Sequence, residues 1–398
     1  MTDPRPAIRL RPKTDPRRIR RGAPWVYENE AVTDRRTKAM APGTIARLED
    51  ADRQPLATVA VNPNSKIIAR VLDLDPEAAI DEAWFAARLR AASDLREALF
   101  DAPFYRLVHA EGDGLPGVVI DRFGDTAVLQ PNAAWADTLT EPLVAALIAV
   151  TGVTTVVKNA SGRARALEGL DDVSGVVAGK VTGPIPVPMN GATYLADVEG
   201  GQKTGLFYDQ RPNHAFVARL ARGTDVLDVF SHVGGFALAA LAGGARSALA
   251  VDGSAPALEL ARGGAALSGA ADRFETRQAD AFDALTALSD EGRVFGTVIC
   301  DPPAFAPAKP ALDAGLRAYE KVARLAAPLV APGGTLTLCS CSHAADLTQF
   351  RQASLRGIGR AGRTAQLIRT GFAGPDHPQH PHLAETGYLK ALTFRLLP

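Results

Sequence analysis

The chain is short of cysteine, of net charge and of long apolar runs. Its 398 residues hold three cysteines, Cys300, Cys339 and Cys341. That is too few for a disulfide framework and points to a reducing compartment. Lys and Arg together number 44, as do Asp and Glu, so the formal charge is zero. A protein held to nucleic acid by bulk charge is thereby excluded, although a local basic patch is not. No apolar run reaches the roughly 18 residues that a bilayer span needs. The first 21 residues lack the apolar stretch of a secretory signal. A soluble cytoplasmic protein with no membrane partner is the expectation. Internal repeats are missing, and the turn Asp228-Val-Phe-Ser-His-Val-Gly-Gly, after the first strand candidate of the last stretch, lacks the Gly-x-Gly-x-x-Gly phosphate fingerprint of dinucleotide sites. His343, His377, His380 and His382 fit no ligand spacing, so no metal is expected. What remains is average: 46% hydrophobic and 22% charged residues, enough for the cores of two or three domains.

Three stretches differ in pattern. Residues 1–74 open with eight basic side chains, Arg5 to Arg21, against two acids. Short strand-like runs follow at Gly43-Thr-Ile-Ala-Arg-Leu, Leu56-Ala-Thr-Val-Ala-Val and Lys66-Ile-Ile-Ala-Arg-Val-Leu. Their spacing of about ten residues suggests a small β-barrel. Residues 75–190 begin with a helical period over 78–100, then mix strands (from Tyr105, Gly117, Ala127 and Thr154) with a helix at about 135–150. They end at the Pro-rich Gly183-Pro-Ile-Pro-Val-Pro. Residues 191–398 alternate strand-like runs with Ala-rich helical stretches, the strands beginning at Asp225, Ser247, Phe274, Gly296 and Gly334. That alternation predicts an α/β domain with a doubly wound parallel sheet.

Acids stand at the ends of four successive strand candidates: Asp228, Asp252, Asp280 and Asp301. Open α/β sheets bind ligands beyond the carboxyl ends of their strands, so one crevice could collect all four. Each acid alone is as readily a strand-end cap. The first turn, Asp228-Val-Phe-Ser-His-Val-Gly-Gly, carries Gly234 and Gly235, which let backbone approach a ligand. Asp252 can accept both hydroxyls of a ribose. Asp280-Ala281-Phe282 offers a polar edge and an aromatic face to an adenine. An adenosine without phosphates fits this set, which favours S-adenosylmethionine over a nicotinamide dinucleotide.

Asp301-Pro302-Pro303 makes a rigid loop whose carboxylate and carbonyls can hold a flipped nucleobase. Cys341, in Ser340-Cys-Ser, falls at the mouth of the next strand, whereas Cys300 and Cys339 read as core. A thiolate there suits cytosine C5, a poor nucleophile. Addition of sulfur to C6 makes C5 enamine-like, and a hydrogen bond to N3 from Asp301 favours the addition. Gly200-Gly-Gln-Lys-Thr-Gly-Leu-Phe-Tyr-Asp-Gln-Arg-Pro mixes glycines, polar groups and aromatics like an ordered binding loop, with a plain hairpin turn as the alternative.

These motifs, with Asp376-His-Pro, Tyr388-Leu-Lys and Glu111-Gly-Asp-Gly-Leu-Pro-Gly, resemble from end to end a bacterial family of class I S-adenosylmethionine-dependent methyltransferases. Its members methylate cytosine C5 in 23S ribosomal RNA and carry an N-terminal PUA domain. The resemblance implies a PUA-like barrel at 1–74, a central α+β domain at 75–190 and a Rossmann-like methyltransferase domain at 191–398. It implies S-adenosylmethionine contacts at Gln202, Lys203, Thr204, Asp228, Ser231, Asp252, Asp280 and Asp301, with Phe230, Gly234, Ser254, Ala281 and Phe282 in the same turns. It implies Cys341 as nucleophile beside Asp301, large-subunit ribosomal RNA as partner, and leaves a homodimer open. Two departures matter: the first turn reads Phe-Ser-His-Val-Gly-Gly where the family more often has Phe-Cys or Phe-Ser, Tyr-Thr and then Gly-Gly, with no loss expected, and the second concerns product release. Some RNA cytosine-5 methyltransferases carry a further Cys after the Pro pair that helps release product, and Ala304 stands there, so the releasing base is unassigned. Rival readings are methylation of another base or position, an assembly factor that binds the cofactor without turnover, and a nicotinamide oxidoreductase.

Overall fold

The computed structural model describes residues 5–200 and 205–397. The chain divides into two compact units, Met1–Thr182 with Pro375–Thr386, and Gly183–Gly374 with Gly387–Pro398.

In the first unit, strands β1 (Ala7–Arg9), β2 (Trp25–Tyr27), β3 (Thr44–Glu49), β4 (Pro55–Val61) and β5 (Ile67–Asp73) form one sheet in the order β1-β3-β4-β5-β2. A bridge between Leu10 and Ala31 joins its two edges and closes the barrel. Ile8, Leu48, Val59 and Ile68 fill the interior. The expected long helix is Glu82–Leu99, started by the Asp81 carboxylate, which accepts from the Trp84 N–H at 2.9 Å. It lies in one core with a second sheet, built from β6 (Phe104–His109), β7 (Val118–Phe123), β8 (Thr126–Pro131), β9 (Thr155–Lys158) and β10 (Gly175–Ala178). Strand β10 had no sequence signal because Gly175, Val176 and Val177 are all exposed, so no alternation marks it. Arg70 ties the barrel to this second sheet by ion pairs of 3.0 Å to both Glu111 and Glu168.

The second unit begins with a hairpin, β11 (Ile185–Met189) and β12 (Ala192–Ala196). Asn190 and Gly191 form its turn at φ +54° and +76°, the left-handed pair that a two-residue hairpin requires. Then come β13 (Asp225–Val229), β14 (Ser247–Asp252), β15 (Phe274–Gln278), β16 (Phe295–Cys300), β17 (Val330–Ser340), β18 (Ala365–Gly371) and β19 (Lys390–Leu396). Their order is β15-β14-β13-β16-β17-β19-β18. Five strands are parallel as expected, but β19 runs antiparallel to both neighbours. The sequence reading names those five parallel strands; β18 and β19 are not among them. The crossover from β17 to β18 leaves one strand's width open, and the returning chain end fills it from the opposite direction. The strand order reverses between β13 and β16, which sets a topological switch point at their carboxyl ends.

Candidate active site

The turn after β13 is built from unusual backbone. Phe230 and His232 adopt φ of +63° and +51°, and Gly234 follows at +81°. Left-handed non-glycine residues carry strain of order 1–3 kcal/mol each and cluster at functional sites. Asp252, at the end of β14, holds this turn. Its carboxylate accepts from the N–H groups of His232 and Ser254, both at 2.8 Å. Gly235 opens the helix Gly235–Ala242, where a Cβ would stand 2.9 Å from the buried His214 ring.

Asp228 lies fully buried beneath the same turn. One carboxylate oxygen accepts from the Ala237 N–H at 2.9 Å, and the other has no partner among the described residues. The Ser231 hydroxyl is likewise buried and unpartnered. Burial pushes the Asp228 carboxyl up to about 8, with the charges of Asp301 and Asp252 adding to the rise. An unfolded Asp ionises near 3.8. Between those values the unfolded chain has shed a proton that the folded chain keeps, so stability falls as pH rises through the window. His109 and His214, held down at about 2 and about 3 mainly by burial, tilt stability the other way, but only below their ordinary 6.5. Between pH 6.5 and 8 the ligand-free protein is therefore expected to lose thermal stability, and Asp228→Asn to flatten that loss. Equal slopes for both proteins in melting experiments would contradict the assignment.

Asp301 emerges from β16 between two anchors. Its N–H donates to the Val229 carbonyl at 3.2 Å, and its carboxylate accepts from Gln210 Nε2 at 2.9 Å. Gln210 is itself fixed by Asn213, whose Nδ2 donates to Gln210 Oε1 at 2.7 Å. The loop beyond Asp301 is tied to the Cys341 loop, since the Ala306 N–H donates to Ser342 Oγ at 2.9 Å. The Tyr319 hydroxyl braces both, 2.7 Å from Ser342 Oγ and 2.9 Å from Ser340 Oγ.

Strand β17 ends at Ser340, so Cys341 stands just past the strand and is partly exposed, while Cys300 and Cys339 are buried. Lys390 pairs in register with Ser340, and its ammonium donates to the carbonyls of Ser342 at 2.7 Å and Ala345 at 2.8 Å. Burial lowers its pKa, and the neighbouring Cys341 and Asp346 partly restore it. The Lys390 ammonium thus holds the Cys341 loop and lies within electrostatic reach of Cys341, the kind of neighbour that favours a thiolate.

A cavity of about 410 Å³ opens at this edge of the sheet, lined by Phe230, Asp252, Asp301, Pro302 and Cys341, among others. A smaller space of about 60 Å³ is lined by Asp228, Phe230, Ser231 and Asp301. The remaining sequence candidates lie outside these linings. Ser254 caps the helix Ala255–Leu267, and Asp280 caps Ala281–Asp290 by accepting from the N–H groups of Phe282 and Asp283. Ala281 is buried, and Phe282 stacks on Phe305 with ring centroids 6.3 Å apart. Gln202, Lys203 and Thr204 lie outside the described residues. Sequence reasoning missed Asp209, Gln210, Tyr319 and Lys390. Asp209 and Gln210 had a signal in the polar end of the Gly-rich loop, and Lys390 in being the one ammonium within an apolar final strand. Tyr319 had none. Among the described residues no three or more His, Cys, Asp or Glu gather as metal ligands, and no helix is long and apolar enough to cross a membrane.

A family model of S-adenosylmethionine-dependent methyltransferases matches residues 152–395, and one of PUA-like domains matches residues 8–74. Similar curated proteins include the ribosomal RNA large subunit methyltransferase I of Shewanella amazonensis, 36% identical over 98% of this chain and 99% of that protein. The protein of that name from Erwinia tasmaniensis is 36% identical, over 94% of this chain and 95% of its own. Among solved structures, a methyltransferase complexed with SAH superposes with a TM-score of 0.81 at 19% identity, covering 98% of this chain and 99% of its own.

Proposed function

Because the chain belongs to the S-adenosylmethionine-dependent methyltransferase family, we propose that it methylates large-subunit ribosomal RNA and forms 5-methylcytidine through Cys341. The observation that carries this reading is the single cavity in which Cys341, Asp301 and Asp252 meet. The residues present suit the cofactor. Asp252 offers a carboxylate to a ribose, Phe230 an aromatic face, and Asp228 and Ser231 buried polar atoms without partners among the described residues. Gln202, Lys203 and Thr204 are proposed alongside them on the resemblance of their motif. When bound, S-adenosylmethionine supplies an electrophilic methyl group.

The chain's own groups do the rest. The Cys341 thiolate adds to C6 of a cytosine, and Lys390 steadies the sulfur's charge. Asp301, oriented by Gln210, donates a hydrogen bond or a proton to N3 as the sulfur adds, which favours the addition, and takes the proton back when the sulfur leaves. Pro302 and Pro303 keep that carboxylate and the adjoining carbonyls in place. The target base must leave its stack to reach the cavity, so single-stranded or loosely paired RNA is the preferred substrate. Arg11 and Lys13 line a cleft on the barrel and supply phosphate contacts, while Arg18 beside them is paired with Glu30. We propose three functional domains, at 1–74, 75–190 and 191–398. This reading puts the protein's work in the cytoplasm, and sizing it in solution decides between a monomer and the homodimer that the resemblance leaves open.

The test is incubation with methyl-labelled S-adenosylmethionine and large-subunit ribosomal RNA from a strain lacking the gene, followed by nucleoside analysis. Label is expected in 5-methylcytidine. Label in any other nucleoside would sink the C5 assignment and leave the methyltransferase family standing.

A further inference from the structure

The cytosine-C5 reaction needs a base to take the C5 proton, and the position after the Pro pair, Ala304, has no side chain that could help. The cavity holds a carboxylate that the steps above do not use. Asp209 lines it together with Cys341, Asp301 and Ala304. The residue is only 9% exposed. One of its oxygens accepts from the Tyr388 hydroxyl at 2.7 Å. The other is buried with no hydrogen-bond partner among the described residues. Leaving a buried carboxylate oxygen unsatisfied is costly, by about 1–3 kcal/mol or more, and is retained where a ligand completes it.

Its supports point toward the Cys341 end of the cavity. Tyr388 touches Asp209 with its hydroxyl and packs its ring 5.8 Å from that of His343, two residues beyond Cys341. The next residue, Leu389, also lines the cavity, and Lys390 holds the Cys341 loop by its carbonyls. The Asp209 backbone is pinned as well, its carbonyl accepting from the Gly374 N–H at 3.0 Å. The segment 388–390 therefore fixes the carboxylate and the thiol from a common base. By contrast, Asp209 does not line the smaller space beneath the glycine turn, where Asp228 and Ser231 lie.

We propose that Asp209 is the catalytic base that releases the product. The inference rests on the cytosine-C5 reading given above. After C5 carries the methyl group, the free Asp209 oxygen takes the remaining C5 proton. The C5–H electron pair becomes the C5=C6 double bond, the C6–S bond breaks, and its pair leaves on sulfur as the Cys341 thiolate. The carboxylic acid then passes its proton to solvent. Atoms and charge balance without any further reagent. Tyr388 is a positioning residue that aims the carboxylate.

The experiment uses the full-length protein and ribosomal RNA tritiated at cytidine C5. Wild type is expected to release tritium to water, to leave 5-methylcytidine in the RNA, and to show no detergent-stable adduct. Asp209→Asn is expected to transfer the methyl group yet retain the tritium. The RNA should stay covalently bound to the protein as a gel-retarded band that needs S-adenosylmethionine and disappears when Cys341→Ala is added. Release should slow by about a hundredfold or more, the usual contribution of a general base. Tritium release by Asp209→Asn at the wild-type rate would overturn the proposal. So would a variant that forms neither adduct nor methylated RNA. Its affinity for S-adenosylmethionine, titrated separately, would then identify Asp209 as a cofactor ligand if lost or as a docking group for the base if kept. Should Asp209→Asn melt below the assay temperature, Tyr388→Phe keeps the carboxylate but loses its aim. It is expected to populate the same adduct, and unchanged release would again overturn the assignment. A wild type whose product is not 5-methylcytidine removes the parent reading directly, and this proposal with it, whatever Asp209→Asn does.

Discussion

Cys341→Ala is expected to lower 5-methylcytidine formation by at least about a thousandfold, the scale seen when a nucleophile is deleted from an enzyme. Affinity for S-adenosylmethionine should change little, because the atoms suited to that ligand lie at Asp252, Asp228 and Ser231. The contrast with the other cysteines makes the test specific. Cys300 and Cys339 are buried, and burial pushes both thiols well above the ordinary range, so neither can substitute as a thiolate. Cys341 alone is reachable, and it stands between Tyr319 and Lys390, whose contacts hold its loop on both sides. Methyl incorporation and cofactor titration, run side by side on the variant, separate the roles. Undiminished 5-methylcytidine would demote Cys341 to packing. Loss of cofactor affinity equal to the loss of activity would make it a structural residue of the site.

Arg96→Met is expected to destabilise the first unit by about 3–5 kcal/mol, the cost of breaking a buried ion pair from one side. Arg96 is completely buried on the helix Glu82–Leu99. Its guanidinium donates to both oxygens of Asp113, at 2.9 and 2.7 Å, and to the carbonyls of Arg106 at 2.9 Å and Asp376 at 3.0 Å. Methionine fills much of the volume but leaves the Asp113 carboxylate without its countercharge. The same change releases Pro375–Thr386, whose attachment also uses the Asp376 carboxylate, accepting from the Arg106 N–H at 3.1 Å. A melting temperature lower by roughly 10 °C is the expected readout, at about 2–4 °C per kcal/mol for a unit of this size. Faster amide exchange at 375–386 should accompany it. A melt within 2 °C of wild type, an order-of-magnitude threshold, would mean that water replaces the guanidinium without cost.

Some of this was legible from local chemistry alone. The five parallel strands of the second unit betray themselves as apolar runs between Ala-rich helices, because parallel strands are buried on both faces. The acids at their ends were legible as a set, yet their roles were not. Asp228, Asp252 and Asp301 meet at the switch point, whereas Asp280 spends its carboxylate on a helix N-terminus. A strand-end acid reads the same in sequence whether it caps a helix or faces a ligand. Strands β10 and β19 escaped for opposite reasons: the first is too exposed to show alternation, and the second is too buried to reveal its direction.

The amino-acid sequence by itself determined the classes of element, the cysteine that could react and the turn that could take an adenosine. Each depends on residue type and on spacing over a few positions, where backbone sterics and hydrophobic period act. Tertiary structure alone decided which distant groups share a cavity. Asp209 precedes the sheet, Cys341 follows its fifth strand, and Leu389 stands just before its last. They meet only because β19 inserts antiparallel between β17 and β18. That insertion brings Tyr388 against Asp209 and Lys390 against the loop that carries Cys341. It also follows a chain excursion, 375–386, that packs into the first unit before the strand begins. Contacts of such sequence separation are selected by the burial and hydrogen-bond demands of the whole fold, and no local pattern encodes them.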